Sequence, residues 1–332
     1  MENLILTSII IPVLNEEGYI KKCIESIIFK NDTSNIEIIV VDGGSNDRTL
    51  TILEDLKIKY DFIKVFHNEK KITPSALNIG IKNSNGRFII RLDAHAEYSS
   101  QYIEKSISSL KNSPDDVVNV GGVIKTESSS KSFLGKAIAI CLSSSFGVGN
   151  STFRTMIPSK KIYVETVPFG CFRREIFSEI GYFNESEHRN EDLEFNKRIL
   201  NANKKIILDP EISSIYFPKS SIKEFIFHQI DNGKIVTKSF RGNKSFHLVR
   251  HFIPLFFVLY LVSLVPILLL LKMPIVEFIY IFPLILYLIL NIFFSFNLAI
   301  INKVIILPYI FFTFITLHIS YGLGSLYGLF KK

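Results

Sequence analysis

Tryptophan is absent from the 332-residue chain, and cysteine is scarce, with Cys23, Cys141 and Cys171 lying far apart. Three widely spaced cysteines form neither a disulfide framework nor a CxxC pair, which favours a reducing compartment. The sequence has no zinc-finger pattern and no recognisable nucleic-acid module, so nucleic acid is not an expected partner. The N-terminus lacks a basic region before its apolar residues, and we interpret it as a first strand rather than a signal peptide.

Charge is distributed unevenly along the chain. Residues 1–250 mix charged and apolar residues as a water-soluble domain does, whereas the chain from Phe252 onward is mostly Leu, Ile, Phe, Val and Tyr with isolated charges. The net charge is +7. A basic protein with an apolar tail is expected to meet an anionic membrane face or a phosphate-bearing substrate.

The first half of the chain alternates predicted strands and helices. LTSIIIPVL, IEIIVVD, FIKVFHN and GRFIIRLD are predicted strands, and the segments between them place apolar residues at helical spacing. Thr73 is a candidate N-cap with Pro74 at the first helical position, and Asn190 is a candidate cap of a later helix. The alternation predicts an α/β fold with a doubly wound parallel sheet. Residues 125–165 are weakly patterned and are expected to be rich in loops.

Polar residues follow three of the predicted strands, at the edge where doubly wound sheets bind ligands. They are Pro12 to Glu16, Asp42, and Asp93 with His95. Each also has a structural interpretation: Asp-Gly-Gly is a good turn, Glu16 can cap the next helix, and His95 can be a polar loop residue. If the chain stays extended, Asp93 and His95 project to one side and can share a divalent cation. Imidazole suits Mn²⁺, whereas Mg²⁺ prefers oxygen.

Two adjacent acids, Glu191 and Asp192, begin a predicted helix. One acid would satisfy the cap and interact favourably with the helix dipole. The other could serve as a general base, because a carboxylate remains ionised at neutral pH beside a phosphate and a metal ion.

The last third of the chain is predicted to associate with a membrane. Residues 220–240 are amphipathic and basic, and we interpret them as a helix lying on the membrane, with an ordinary surface helix as the alternative. Lys272–Pro274 is a tight turn between the first two of three apolar segments. Each of those two is long enough to cross a bilayer. The segments are 252–271, 275–296 and 304–321.

These features predict three regions. A catalytic domain covers residues 1–218, an amphipathic interfacial segment 219–246, and a membrane domain 247–332. We expect a multi-pass protein of the cytoplasmic membrane with its catalytic domain inside. Three spans would then place Lys331 and Lys332 outside, against the positive-inside rule, and a re-entrant third segment would remove that conflict.

Five segments together resemble glycosyltransferase family 2. They are SIIIPVLNEEGYIKKCIESI, IEIIVVDGGSNDRT, ALNIGIKNSNGRFIIRLDAHAEY, VPFGCFRREIFSEIGYFNE and NEDLEFNKRI, in the family's order and rough spacing over about residues 5–215. VDGGS, DAHA and the C-terminal HISYGLGSLYG are similar to the bacterial exopolysaccharide branch typified by succinoglycan biosynthesis enzymes. The resemblance implies a GT-A fold, which is a Rossmann-like nucleotide-diphospho-sugar transferase domain, followed by an interfacial helix and transmembrane helices.

The resemblance also implies how the nucleotide sugar and its metal ion bind. Pro12, Leu14 and Glu16 would line the base and ribose, and Asp42 would bind the base. Asp93 would contact the ribose or the metal. His95 would replace the second acid of the D-x-D motif as a metal ligand. The polypeptide GalNAc-transferases, another GT-A family, use such a D-x-H motif with manganese.

Further implied roles concern the reaction and the acceptor. Asp192 would be the base that deprotonates the acceptor, and Glu191 would help to place it. Gly170, Cys171 and Arg173 would border the donor sugar and the acceptor. Gln229 lies where related membrane synthases carry a Q-x-x-R-W element. The Arg and Trp of that element are absent here, which counts against a processive polymerase.

The implied activity is an inverting transfer from a nucleotide-diphosphate sugar, with Mn²⁺ or Mg²⁺, to a polyprenyl-diphosphate-linked saccharide in cell-surface or exopolysaccharide biosynthesis. Lys234, Lys238 and Arg241 could meet the phosphates of that acceptor or those of anionic membrane lipids. Two alternatives stay open: a polyprenyl-phosphate glycosyltransferase that makes a lipid-carrier sugar, and a non-catalytic membrane scaffold. The intact set of acids argues against the scaffold.

Overall fold

The computed structural model describes residues 6–29, 33–187, 190–241, 249–270, 273–303 and 305–330. The chain divides into two compact units, the first formed by Met1–Lys125 and Thr152–Tyr216 and the second by Thr126–Ser151 and Phe217–Lys332. Residues 126–151, which the sequence analysis assigned to the catalytic domain, group here with the second unit. Some residues discussed above lie outside the described part: the side chain of Arg241, residues 242–246, Lys272, Lys331 and Lys332.

The first unit is built on a mixed sheet. Its strands are β1 (Thr7–Val13), β2 (Ile36–Asp42), β3 (Ile63–His67), β4 (Phe88–Arg91), β5 (Ala96–Tyr98), β6 (Val117–Thr126), β7 (Ile162–Tyr163), β8 (Cys171–Arg173) and β9 (Lys205–Tyr216). Within the described residues the order is β3-β2-β1-β4-β8-β6-β9-β5, and β7 pairs with β9. The first four strands of that order are parallel, as predicted, but β8 is antiparallel to β4.

Helices connect the parallel strands. They are α1 (Ile20–Ile28), α2 (Thr49–Lys59) and α3 (Thr73–Lys82), and α4 (Tyr102–Lys111) follows β5. Ile9 and Ile11 belong to one apolar core and Ile10 to another, so β1 is buried on both faces as a central parallel strand should be. Ile72 occupies the N-cap of α3, and Thr73 already lies in the helix. The predicted cap was therefore wrong by one residue, an error typical of helix ends.

The region from 125 to 165 is more regular than predicted. It contains α5 (Phe133–Leu142), α6 (Ser145–Val148) and α7 (Thr152–Thr155). The prediction of a loop-rich region was wrong here because α5 is apolar over most of its surface and lacks the amphipathic pattern of a surface helix. Ala137 and Cys141 of α5 pack against Ile310 and Phe314 in the second unit. α8 (Glu175–Ile180) and α9 (Glu191–Asn201) complete the first unit.

The second unit consists mainly of long helices. They are α10 (Ile222–Arg241), α11 (Ile253–Leu270), α12 (Pro274–Ile301) and α13 (Leu307–Phe330), with a short 3₁₀ helix at Val249–Phe252. In the described part of the chain, α11, α12 and α13 are each long and apolar enough to cross a membrane. Such helices are typical of a membrane-associated protein. α13 continues without a break to Phe330, so the helix ends nine positions beyond the predicted third segment, 304–321.

Residues 220–240 form a helix as predicted, but protein covers one face of it. Phe225 and Gln229 of α10 are buried. A side chain at Gly324 of α13 would collide with the Ile230 carbonyl, and one at Gly233 would collide with the Tyr321 carbonyl. Only glycine permits such close backbone approach, which gives the HISYGLGSLYG segment a packing role.

Candidate active site at the carboxyl edge of the sheet

A cavity of about 210 Å³ lies at the carboxyl edge of the parallel strands. Its lining includes residues predicted to bind the nucleotide sugar or a metal ion: Pro12, Leu14, Glu16, Asp93 and His95. It also includes residues to which the sequence analysis gave no role: Asn68, Lys71 and Arg91. Asn68 directly follows β3 and Lys71 lies in the same loop, so the strand-end rule that selected the other residues would have pointed to this loop.

Asp42 is buried and its carboxylate is engaged by its own turn. It accepts hydrogen bonds from the Gly44 amide at 2.7 Å and from the amide and hydroxyl of Ser45 at 3.0 and 2.5 Å. Gly44 has a φ of +81°, which glycine adopts without strain. The turn interpretation of Asp-Gly-Gly describes these contacts, and Gly43 of the same turn lines the cavity. Base binding by Asp42 stays a prediction.

Glu16 contacts His95 instead of capping α1. The helix begins at Ile20, with Tyr19 at its N-cap, so the capping interpretation of Glu16 is wrong. One oxygen of the carboxylate, Oε1, lies 3.1 Å from His95 Nδ1. The other, Oε2, is buried and has no hydrogen-bond partner among the described residues. A buried polar atom of this kind is costly, and a bound ligand can relieve that cost.

The chain does not stay extended after β4. The strand ends at Arg91, and Ala94 and His95 lie in a turn before β5. The prediction that an extended strand puts Asp93 and His95 on one side is therefore wrong. The turn nevertheless brings both residues to the same cavity. Tyr98 supports the turn, because its hydroxyl accepts from the Asp93 amide at 2.8 Å and donates to the Asp93 carbonyl at 3.0 Å.

Arg91 links the two predicted groups of acids. Its guanidinium lies 2.9 Å from Asp93 Oδ1 and 3.0 Å from Glu191 Oε1, and it also pairs with Asp192. Burial by itself would lower the pKa of Arg91, but the charges of Asp93 and Glu191 outweigh burial and raise it. The sequence analysis gave Arg91 no role. An arginine at the end of a buried strand was the available signal, since a buried cation needs acid partners.

Glu191 and Asp192 begin α9. Asn190 holds the predicted cap position with a φ of +58°, but its side chain makes no cap hydrogen bond. Glu191 is buried, whereas the side chain of Asp192 is 25% exposed. Of the two acids, Asp192 is therefore the more accessible to a ligand.

The segment GCFRR divides between the two edges of the sheet. The Gly170 carbonyl accepts the Arg91 amide at 3.0 Å, so Gly170 adjoins the acid cluster. Cys171 is buried, and burial raises the pKa of its thiol, which makes it a packing residue. Arg173 lies opposite Phe88 at the start of β4 and donates to backbone carbonyls in α4 and β6. These contacts give Arg173 a structural role at the amino edge, which differs from the predicted contact with sugar.

The other predicted acceptor residues belong to α10 in the second unit. Gln229 is buried there, and its predicted contact with the acceptor stays a prediction. Lys234 pairs with Asp231 at 2.9 Å, whereas Lys238 is exposed.

Asp93 and His95, the two predicted metal ligands, line the same cavity. Across the described ranges, no group of three or more His, Cys, Asp and Glu side chains could hold a metal ion. The Nδ1 contact with Glu16 favours the His95 tautomer that is protonated on Nδ1. That tautomer carries its lone pair on Nε2, and a carboxylate behind the imidazole is typical of metal-binding histidines. The two side chains therefore fit a cation whose other ligands come from a bound substrate.

The sheet and the cavity define the fold class. A mixed α/β sheet with a polar cavity at the carboxyl ends of its parallel strands is the arrangement of the GT-A fold. The crystal structure of GalNAc-T7 with UDP, GalNAc and Mn²⁺ has this fold. It matches with a TM-score of 0.51 and 16% identity over 75% of this chain and 53% of that one.

The sequence comparison narrows the class to a family. The model of glycosyl transferase family 2 matches residues 8–181, so the chain belongs to glycosyltransferase family 2 and is a glycosyltransferase. This confirms the resemblance seen in its motifs.

Two curated relatives match most of the chain. One, from Methanococcus voltae, is named dolichyl N-acetyl-α-D-glucosaminyl phosphate 3-β-D-2,3-diacetamido-2,3-dideoxy-β-D-glucuronosyltransferase. It is 32% identical over 266 residues, which are 78% of this chain and 80% of that protein. Succinoglycan biosynthesis protein ExoA of Rhizobium meliloti is 27% identical over 250 residues, 74% of each chain. These relatives agree with the exopolysaccharide-like branch.

Proposed function

We propose that the chain transfers a sugar from a nucleotide-diphosphate sugar to a lipid-linked saccharide at the cytoplasmic membrane, with inversion at the anomeric carbon. The observation that carries this proposal is the pairing of Arg91 with both groups of acids. One guanidinium joins Asp93, on the predicted donor side, to Glu191 and Asp192, on the predicted acceptor side. The residues for leaving-group binding and for proton removal are thereby held close together.

Asp192 is the proposed base. Its carboxylate would accept the proton of the acceptor hydroxyl as that oxygen attacks the anomeric carbon from the face opposite the nucleotide. Arg91 fixes the direction of the Asp192 carboxylate, and buried Glu191 shares the same guanidinium. Glu191 therefore acts mainly by positioning.

A divalent cation, Mn²⁺ or Mg²⁺, is the proposed cofactor, and Asp93 and His95 would hold it. When bound, it would supply positive charge that helps the nucleotide diphosphate to leave. Glu16 would keep the imidazole in the tautomer that binds metal through Nε2. The Mn²⁺ in the GalNAc-T7 complex supports this assignment only through the shared fold.

The names of the two relatives support a lipid-linked acceptor. One name specifies a dolichyl-linked sugar phosphate as the acceptor, and the other places its protein in succinoglycan biosynthesis. The long apolar helices of the second unit are consistent with a substrate that resides in a membrane. Whether the lipid carries one phosphate or two is an outcome of the experiment that follows.

Asp192→Asn is the direct test of the proposed base. The full-length chain, purified in detergent, would be offered a panel of nucleotide sugars and a membrane lipid extract with Mn²⁺ or Mg²⁺, and products would be identified by mass spectrometry. We expect Asp192→Asn to lower turnover by about 10²–10⁴-fold, the usual contribution of a general base, while nucleotide-sugar binding is kept. The mass of the product also gives the number of phosphates on the lipid.

A neighbouring acid of α9 provides the control. Glu194 pairs with Arg198 at 2.9 Å, and Glu194→Gln should leave turnover nearly unchanged. Full activity of Asp192→Asn would reject the base. Nucleotide-sugar binding without turnover on any lipid fraction would instead favour a scaffold.

A further inference from the structure

Arg154 is a cation of the first unit that has no role in the reaction as proposed so far. It lies in the short helix α7, with its guanidinium 4.8 Å from the ring centre of Tyr216 and 5.7 Å from that of Phe153. Burial lowers the pKa of Arg154, and nearby Tyr216 and Asp93 only partly oppose that effect. In the residues that the structure describes, no carboxylate lies within ion-pairing distance of it.

Other arginines of this unit are held differently. Arg91 pairs with acids, and Arg173 donates to backbone carbonyls. Arg154 lies against aromatic rings, and a ring face attracts the charge without accepting the guanidinium's N–H groups in ordinary hydrogen bonds. A partly buried guanidinium in this state retains the capacity to bind an anion, and its planar fork matches the oxygens of a phosphate.

The position of Arg154 shows where such an anion would lie. The Tyr216 ring packs edge-on against the His95 ring, with 5.4 Å between their centres. Tyr216 is also the strand partner of Ala96, which directly follows His95. Arg154 therefore lies one ring away from a proposed metal ligand and within electrostatic range of Asp93.

We propose that Arg154 binds a phosphate group of a substrate at this edge of the sheet, an inference that rests on the proposed function. Two substrates would bring phosphate: the nucleotide-diphosphate donor and the lipid-linked acceptor. The proximity of Arg154 to His95 and Asp93 points to the diphosphate of the donor. There its charge would add to that of the metal ion in binding the leaving group.

The test compares Arg154→Met with the unaltered full-length chain in detergent. Methionine keeps most of the apolar contact with Tyr216 and removes the charge. Binding of uridine, guanosine, adenosine and cytidine diphosphates, and of the matching monophosphates, would be measured by calorimetry with Mn²⁺ present. The KM of the lipid acceptor would be measured in parallel.

We expect Arg154→Met to weaken binding of the preferred diphosphate about tenfold or more, as for the loss of a charge-assisted hydrogen bond. Binding of the matching monophosphate should change much less. Arg87→Met is the control, because Arg87 is exposed and lies over the ring of Phe88 at the start of β4. Arg87→Met should change neither the affinity for the nucleotides nor the KM of the lipid acceptor.

The outcomes separate the two phosphate sources. Weaker diphosphate binding alone supports the donor, and a raised KM for the acceptor alone supports phosphate binding with the lipid as its source. If Arg154→Met changed neither the affinity for the diphosphate nor the KM of the acceptor, phosphate binding by Arg154 would be overturned. Equal weakening of diphosphate and monophosphate binding would overturn it too. The proposed function would stand in both cases. A chain that binds no nucleotide would overturn both. If Arg154→Met lost the preference for the diphosphate while Asp192→Asn stayed active, Asp192 would be rejected as the base. The role of Arg154 would be kept.

Discussion

The two edges of the sheet in the first unit treat buried charge in opposite ways. At the amino edge, both oxygens of Glu37 are bonded: Oε1 accepts from Ser8 Oγ at 2.6 Å, and Oε2 accepts from Lys64 Nζ at 2.7 Å. At the carboxyl edge, Glu16 leaves one buried oxygen without a partner among the described residues. Glu37 lies at the start of β2 and Glu16 in the loop after β1, and the two carboxylates differ in how completely they are bonded.

The arginines repeat this contrast. Arg174 at the amino edge donates to the Gly86 carbonyl and to Ser84 Oγ. Arg91 at the carboxyl edge is surrounded by acids, and its Nε atom is buried without a partner in the described part of the chain. Arg174 is held by a backbone carbonyl and a neutral hydroxyl, whereas the partners of Arg91 are carboxylates that a bound ligand could replace. We therefore expect the amino edge to serve mainly stability and the carboxyl edge to serve the proposed chemistry.

Replacing Arg91 at the carboxyl edge and Arg174 at the amino edge by methionine should give the largest difference in turnover between the two edges. Arg91→Met should reduce turnover by at least about 100-fold, because Asp192 loses the group that orients it. It should also cost about 3 kcal/mol of stability, the lower end for a broken buried ion pair, since Asp93 and Asp192 are partly exposed. Turnover and melting temperature of the detergent-solubilised chain measure the two effects.

Arg174→Met is the matched variant at the other edge. It should lower the melting temperature and leave the turnover of the folded fraction unchanged. Equal loss of turnover in the two variants would remove the functional distinction between the edges.

Glu16→Gln tests whether the carboxyl edge is arranged around a metal ligand. An amide cannot supply the charge that supports His95, so the affinity for Mn²⁺ should fall about 10–100-fold, as for other residues that orient metal ligands. Calorimetric titration with Mn²⁺ in the presence of a nucleoside diphosphate measures this change. Glu17→Gln is the control, because the carboxylate of Glu17 accepts the Arg48 amide at 3.0 Å. Equal affinity in all three proteins would show that Glu16 does not support a metal site.

Replacing Glu37 at the amino edge has the smallest predicted effect, a loss of stability that depends on pH. Burial would raise the pKa of Glu37, but hydrogen bonds from Lys64, Ser8 and the Asn85 amide outweigh burial and lower it. A lowered pKa in the folded state stabilises the fold above the unfolded pKa of about 4.3, and that stabilisation is lost as the pH falls through the folded value. Glu37→Gln should therefore cost about 2 kcal/mol at neutral pH.

Melting temperatures of the unaltered chain and of Glu37→Gln, measured between pH 7 and pH 3, test this expectation. The two curves should converge as the pH falls, while turnover at neutral pH stays the same. A constant difference over the whole range would show that the charge of Glu37 is not what stabilises this edge.

The elements were easier to predict than the contacts of the site. Strand–helix alternation and apolar segments are local properties, so the parallel strands and the long apolar helices could be read from composition and period. The antiparallel pairing of β8 and the apolar helix α5 were missed because their neighbours, rather than their own pattern, define them. Asp93 and His95 were selected as polar residues at a strand end, and an extended chain was expected to put them on one side. They share a cavity because of a turn instead.

The sequence by itself determined the family, the alternation of strands and helices, the three long apolar helices, and the polar residues at strand ends. The last three follow from neighbours within a few positions along the chain, and the family follows from the order of motifs over about residues 5–215. Only the tertiary structure decided which charges meet: Glu16 with His95, 79 positions apart, Arg91 with Glu191, and Arg154 with Tyr216. A charged side chain acquires its role from the groups that desolvate and pair it, and folding brings those groups from distant segments.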